Sequence, residues 1–347
     1  MKALIKGSAG RGATYGDVDL PACGPDEILI QARAVSVCGT DMHIYNWDDW
    51  AASRFHPPMV FGHEVSGEVV EVGSLVDPAF VKVGDHVSAE THIACGRCLQ
   101  CRTGRKHICQ NLKILGVDTQ GVFAEYVKIP AANAWVNDPS LPFEVGSILE
   151  PFGNAVQTVY AGPGVSGRTV LITGCGPIGL MAIAASRAAG ATLIIASDPV
   201  AKRRNLASSM GADYALDPTE VNLPTVVRDL TRGDGVETLL EFSGNQAAIR
   251  QGFASLTFGG HVSVLGLPSG PVSLDLANDI VFKAATVTGV SGRRMFETWY
   301  TVRELVTSGK VDLRQVISHD LPMSRFEEGF DLVNAGQAVK VVLHPEA

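Results

Sequence analysis

The sequence predicts an α/β protein of two domains, one β-rich with short antiparallel strands and one built on a doubly wound parallel sheet. Three observations carry the prediction. Strand-like runs broken by Gly, Pro and Asp fill the first 150 residues, apolar strands alternate with helical stretches from Arg168 onward, and 347 residues are enough for two cores. The chain is 46% hydrophobic and 18% charged, the composition of a folded globular protein rather than a disordered one. Its net charge of −8 comes without any basic block, so neither nucleic acid nor an anionic membrane is expected as a partner.

In chain order, strands are expected at 2–6, 21–25, 27–35, 60–72, 85–90 and 124–129, forming a small, irregular, barrel-like domain. The N-terminal run Met1-Lys2-Ala3-Leu4-Ile5-Lys6-Gly7 lacks the apolar core and cleavage site of a secretory signal. The most apolar stretch, 177–196, contains Arg187 and Gly190 and divides into a helix and a strand, which excludes a membrane span. Seven cysteines, four of them within 95–109, point to metal ligation in a reducing compartment; a cytoplasmic protein is expected.

The stretch from Cys38 to Glu64 concentrates reactive side chains: Cys38, Thr40, His43, His63 and Glu64. A thiolate, an imidazole and an adjacent carboxylate suit Zn²⁺, and three protein ligands with one open position is the arrangement of a catalytic zinc. Taken singly, each of these residues reads as an ordinary buried Cys, a turn hydroxyl or a surface His. Farther on, Cys95-x-x-Cys98-x-x-Cys101 and then Cys109 can close a tetrahedral shell around a second, structural zinc. The competing reading is a redox Cys-x-x-Cys, but that motif normally opens a helix after a strand.

From Arg168 the grammar is strand 169–173, Gly174-Cys175-Gly176-Pro177-Ile178-Gly179, a helix to Ala189, then strand 193–197 ending at Asp198. This is the dinucleotide fingerprint in its required strand–turn–helix setting, with an acid 19 residues after the last glycine. A Rossmann domain follows, with helix N-terminal amides receiving the pyrophosphate. Asp198 should accept the adenosine ribose hydroxyls and repel a 2′-phosphate, which selects NAD over NADP. Lys202-Arg203-Arg204 could hold a 2′-phosphate; after the acid they read better as a solvated helix face, with Arg203 against the adenosine end. Strands at 213–216, 238–242 and 260–265 complete the sheet. The strand ends Leu265-Gly266-Leu267 and Val290-Ser291 lie where such sheets place their ligands. A β-branched strand at 281–290 could pair across a dimer interface or form an internal edge.

The run Gly62-His63-Glu64, Gly67 and Gly73, with Cys38 25 residues before His63, resembles the signature of the zinc-dependent medium-chain alcohol dehydrogenases. The resemblance implies a discontinuous GroES-like catalytic domain, 1–150 with 292–347, around a Rossmann domain at 151–291. Within the family, Cys38-Gly39-Thr40-Asp41-x-His43-Ile44-Tyr45-x-Trp47 and Glu297-Thr298-Trp299-Tyr300 look like the branch that oxidises L-threonine at C3 to L-2-amino-3-oxobutanoate with NAD. It implies a catalytic zinc on Cys38, His63 and Glu64, with Glu64 a ligand while substrate is absent. Thr40 and His43 are expected to relay the proton, and Glu150 either to ligate the metal in some states or to tune that relay. It places His92 near the substrate, Leu265–Leu267 and Val290–Ser291 beside the nicotinamide, and implies a homotetramer; the residues themselves offer acidic Glu150 and basic Arg294 for an amino acid's charges. The rival readings are a polyol or 2,3-butanediol dehydrogenase of the same family, and a non-catalytic scaffold.

Overall fold

In the computed structural model, which describes residues 1–346, the strand Glu27–Ser36 organises the first of two compact units. Its alternate residues Ile28, Ile30, Ala32 and Ala34 are buried. It pairs antiparallel with Glu64–Val72, Tyr126–Pro130 and the last strand, Lys340–His344. Beyond Glu64–Val72 the sheet continues through His86–Ala89 and Ala134–Val136, and beyond Lys340–His344 it ends in Ile317–Pro322. A second small sheet joins Lys2–Lys6 to Thr14–Asp17 and Met59–Val60. The first unit therefore spans Met1–Pro151 and takes back the chain from Ile317.

Two expectations change here. The stretch 21–25 carries no strand: Pro21 and Pro25 lack ladder donors, and Gly24 instead accepts a turn hydrogen bond from Glu27 N at 3.2 Å. The run 60–72 is two strands in two different sheets, interrupted at Phe61-Gly62-His63, where Gly62 adopts φ +90°. That break carries His63 between the sheets. Behind it the ring of Phe330, from the returning chain, packs against Phe61 and Phe123 at centroid distances of 6.0 and 6.1 Å. Such aromatic pairs add about 0.5–1.5 kcal/mol each beyond area burial.

The second unit, Phe152–Val316, is built on six parallel strands in the order Tyr214–Leu216, Leu193–Ser197, Thr169–Thr173, Val236–Glu241, Leu256–Val264, Thr286–Gly289. Chain order reverses on either side of Thr169–Thr173, creating the switch point at which such sheets bind ligands. The stretch 281–290 begins as a helical turn, because Asp275 accepts from Ala277 N and Asn278 N and starts Leu276–Val281; only Thr286–Gly289 is strand, at the sheet edge. Residues 292–316 fall in this unit, whereas the sequence reading returned the chain at 292. Fully buried Arg293 donates to Asn154 Oδ1 at 3.0 Å and lies 5.8 Å from the Trp299 ring. Among the described residues no helix is long and apolar enough to cross a membrane.

Candidate active site

Cys38 is the N-cap of the helix Gly39–Asn46, and its cap is a thiol version of the capping box. The Asp41 amide donates to Cys38 Sγ, while Asp41 Oδ2 accepts from Cys38 N at 2.8 Å. The thiol is thus held at a helix N-terminus. His63 leaves the inter-sheet break and Glu64 begins the next strand. The donor atoms of Cys38, His63 and Glu64 all lie within 4.8 Å of one another, with His63 5% and Glu64 0% exposed.

Several observations show that this donor set fits a cation. Asp41 Oδ1 faces His63 Nδ1 at 3.4 Å, the carboxylate–imidazole arrangement that leaves Nε2 free to ligate. Glu64 Oε1 is buried and without a hydrogen-bond partner. Burial opposes a charged His63, yet the Asp41 carboxylate and Cys38 thiolate outweigh it and hold its pKa well above the ordinary value. A field that would force a proton onto a buried imidazole is one that a Zn²⁺ ion satisfies.

The four-cysteine loop fits zinc by its spacing. Cys98 Sγ lies 3.4 Å from Cys101 Sγ and 3.7 Å from Cys109 Sγ, and all four sulfurs, Cys95 included, are within 4.8 Å of one another. Four ligands at about 2.3 Å from a tetrahedral ion stand about 3.8 Å apart. Backbone amides of Arg97 and Cys98 pull the Cys95 thiol down to about 6, while burial pushes Cys101 up to about 12. A metal removes that conflict by taking all four as thiolates.

In the second unit the three fingerprint glycines differ in what a side chain would meet. A Cβ on Gly174 would come within 2.8 Å of the Ser243 backbone, and one on Gly179 within 1.9 Å of Gly174 O. One on Gly176 would meet nothing within 4 Å, so the turn is packed at both ends and open in the middle, which fits a pyrophosphate. Gly176 caps the helix Pro177–Ala188; Pro177 itself has no N–H, and the first-turn amides that follow it are the ones available at the opening. Asp198 closes the second strand at 3% exposure; Oδ2 accepts from Cys175 N and Oδ1 from Val200 N, both at 2.8 Å. Arg203 Nη1 stands 3.7 Å from Asp198 Oδ2, and Arg204 pairs with Asp217 at 2.7 Å. After the fifth strand, Leu265 N and Gly266 N both donate to Glu241 O at 3.0 Å, Leu267 is 92% exposed, and Val290 N donates to Val264 O at 2.8 Å ahead of Ser291.

The remaining predicted residues are placed as follows. Thr40 lies in the first turn after Cys38, and His43, one turn on, is half-exposed with Nδ1 on the Asp48 carboxylate. His92 is 8% exposed with Nδ1 3.7 Å from Glu90 Oε1, and Asn133 Nδ2 donates to its carbonyl at 3.0 Å. Glu150 is buried and helical, as the second residue of Leu149–Val159, with Pro151 tolerated in the first helical turn. Arg294 is exposed and pairs with Glu297 at 3.2 Å.

Four residues that the sequence reading did not single out complete the picture. Asp41 had a signal, an acid three residues after a potential N-cap. Glu241 is buried at the end of an apolar strand, where burial raises its pKa against hydrogen bonds from Ser243 and Gly244. Ser36 donates to Glu64 Oε2, and Lys340 pairs with the same oxygen. Nothing local marks Lys340 as buried; it opens a strand 276 positions after its partner.

Comparison with known proteins agrees with this geometry. The family model "Alcohol dehydrogenase GroES-like domain" matches residues 24–139, and "Zinc-binding dehydrogenase" matches 177–308. L-threonine 3-dehydrogenase of Pyrococcus horikoshii is 51% identical over 343 residues, covering 99% of this chain and 98% of that protein. The Bacillus licheniformis protein of the same name is 51% identical over 345 residues, 99% of each chain. Among solved structures, 2R,3R-butanediol dehydrogenase from Bacillus subtilis superposes with a TM-score of 0.89 at 28% identity, over 99% of both chains. Galactitol-1-phosphate dehydrogenase from Escherichia coli gives 0.92 at 25% identity, over 99% of this chain and 100% of that one. The chain belongs to the zinc-dependent medium-chain alcohol dehydrogenase family, with a GroES-like domain and a Rossmann domain.

Proposed function

We propose that the protein oxidises L-threonine at C3 to L-2-amino-3-oxobutanoate, with NAD as the hydride acceptor. The observation that carries the reading is the Cys38–His63–Glu64 donor set with Asp41 behind His63, in a chain half-identical over its whole length to L-threonine 3-dehydrogenases. When bound, zinc supplies Lewis-acid polarisation of the substrate hydroxyl oxygen, and NAD supplies the hydride acceptor.

This chain's own residues do the rest. Cys38 and His63 hold the metal, Asp41 fixes the imidazole by its Nδ1, and Glu64 offers Oε1 as a further donor. Thr40 takes the hydroxyl proton from the reacting end, and His43 passes it outward; the half-exposed imidazole on Asp48 supports that relay. Buried His92 and Glu150 are the candidates for the substrate's ammonium and carboxylate surroundings. Arg294, paired with Glu297 and exposed, is the weakest of the proposed substrate residues. In the second unit the Gly176 opening takes the pyrophosphate, and Asp198, fixed by two backbone amides, accepts the ribose hydroxyls and disfavours a 2′-phosphate.

A homo-oligomer, a tetramer in the family's manner, is part of the same reading. Its support is an edge strand, Thr286–Gly289, beside Val281 and Phe282 at 67% and 69% exposure. Light scattering after size exclusion measures it directly.

The deciding experiment is NADH formation with L-threonine, L-serine, sorbitol and 2,3-butanediol, with NAD and NADP in parallel and before and after chelation. Turnover of threonine with NAD that chelation abolishes is expected. Preference for sorbitol or butanediol would sink the substrate assignment and leave the zinc chemistry standing.

A further inference from the structure

Lys340 opens the last strand of the first unit, and its side chain is only 2% exposed. Lysine is almost never buried unless paired. Here the ammonium has two acceptors: it donates to Val37 O at 2.9 Å and to the Glu64 carboxylate through Oε2. Val37 immediately precedes Cys38, and Glu64 immediately follows His63. One cation thus ties together the two chain segments that deliver the thiolate and the imidazole. Ser36 Oγ donates to the same Glu64 oxygen. The two carboxylate oxygens are therefore unequal: Oε2 takes two donors, while Oε1 is buried with no hydrogen-bond partner.

A carboxylate whose charge is drawn toward an ammonium and a hydroxyl is a weaker metal donor than a free one, and its freedom to move onto an ion is restricted. We propose that Lys340 is a positioning residue of the metal site: by gripping Glu64 through Oε2 it keeps that carboxylate in reserve, available through Oε1 alone, and so limits how tightly the site holds its ion. The inference rests on the functional reading above only in taking Cys38, His63 and Glu64 as the metal donors. A lysine that merely tied two segments together would have the opposite effect when removed, loosening the site rather than tightening it.

The sign of that effect is the test. Zinc transfer from the holoenzyme to a chromophoric chelator should run in two phases, one for each site. Lys340→Gln keeps donors for Val37 and Glu64 but removes the charge. It is expected to slow the phase belonging to the Cys38–His63–Glu64 site about tenfold, with the four-cysteine phase unchanged. Visible absorption of the cobalt-substituted protein should shift in the same variant as the carboxylate joins the coordination sphere. Lys340→Arg should restore both readouts, and adding Glu64→Gln to Lys340→Gln should abolish the slowing. Ser36→Ala, which removes the other donor to Oε2, should slow release in the same direction by about threefold, and it keeps the idea testable if Lys340→Gln does not fold. Release at the wild-type rate or faster with an unchanged cobalt spectrum, in Lys340→Gln or in Ser36→Ala, overturns the proposal. None of these readouts uses threonine turnover, so a wrong substrate assignment and a wrong role for Lys340 give separate results.

Discussion

Asp41 Oδ1 stands 3.4 Å from His63 Nδ1, and the same carboxylate accepts from Cys38 N through Oδ2 at 2.8 Å. One side chain therefore sets the backbone of one metal donor and the ring of another. Asp41→Asn is expected to lower zinc affinity at that site about 10–100-fold, the usual cost of losing a carboxylate behind a ligating histidine. Competition with a calibrated chelator measures it; unchanged affinity would show that His63 is oriented by something else.

Asp198 should decide the choice of nucleotide. Asp198→Ala is expected to raise KM for NAD about tenfold or more and to improve NADP relative to NAD, with Arg203 now free of its acid. Threonine KM at saturating NAD should change little. Steady-state kinetics with both nucleotides checks this, and an unaltered NAD/NADP ratio would remove Asp198 from the ribose site.

The four-cysteine loop is expected to be a matter of stability rather than chemistry. Cys101→Ser should leave one zinc per chain instead of two by metal analysis, with the thermal midpoint lower by about 5–10 °C. Two zincs retained in that variant would contradict a tetrathiolate site.

Buried His86, its ring Nε2 2.6 Å from Ser66 Oγ, has its pKa held below 6.5 chiefly by burial. The unfolded chain then takes up a proton more readily than the folded one. Stability from neutral His86 is complete above about pH 6.5 and is lost as pH falls below it. Thermal midpoints between pH 7.5 and about 5 should fall less steeply in His86→Gln than in the parent; parallel slopes would exonerate this residue.

Cys175, inside the glycine fingerprint, has its thiol pushed up to about 12 by burial and by the Asp198 carboxylate. In the folded protein it should resist iodoacetamide at about pH 9 and react only after denaturation. Peptide mapping of native and unfolded samples separates the two cases.

Much of this was legible because the informative residues are close together in sequence. The strands Thr169–Thr173 and Leu193–Ser197 and the intervening glycines are local signals, and the structure places them as read. Cys38, His63 and Glu64 likewise announce themselves within short windows, whereas the break at Gly62 that splits 60–72 into two strands and the acid at Asp41 went unread. Failure followed distance and context. Pro21 and Pro25 remove ladder donors from the 21–25 run, and the cap at Asp275 turns an apolar β-branched stretch partly into helix. Lys340 was invisible because its burial depends on Val37 and Glu64, and no pattern around 340 encodes them. The return of the chain at Ile317 rather than 292 follows from Arg293 and Trp299, whose partners Asn154 and Arg293 only the folded second unit brings together.

The last strand of the first unit, Lys340–His344, leaves the ribosome after the whole second unit has been made, yet its register with Glu27–Ser36 places Val342 opposite Ser36. Domains generally fold as units in the order of synthesis, but here the earlier-born unit is completed by a strand made only after the second unit. The four-cysteine loop is complete once Cys109 has emerged and can take its zinc on the nascent chain. The Cys38–His63–Glu64 pocket has its three donors early, but the Lys340 ammonium that grips Glu64 Oε2 arrives only after the second unit, so the final setting of that carboxylate is the later event.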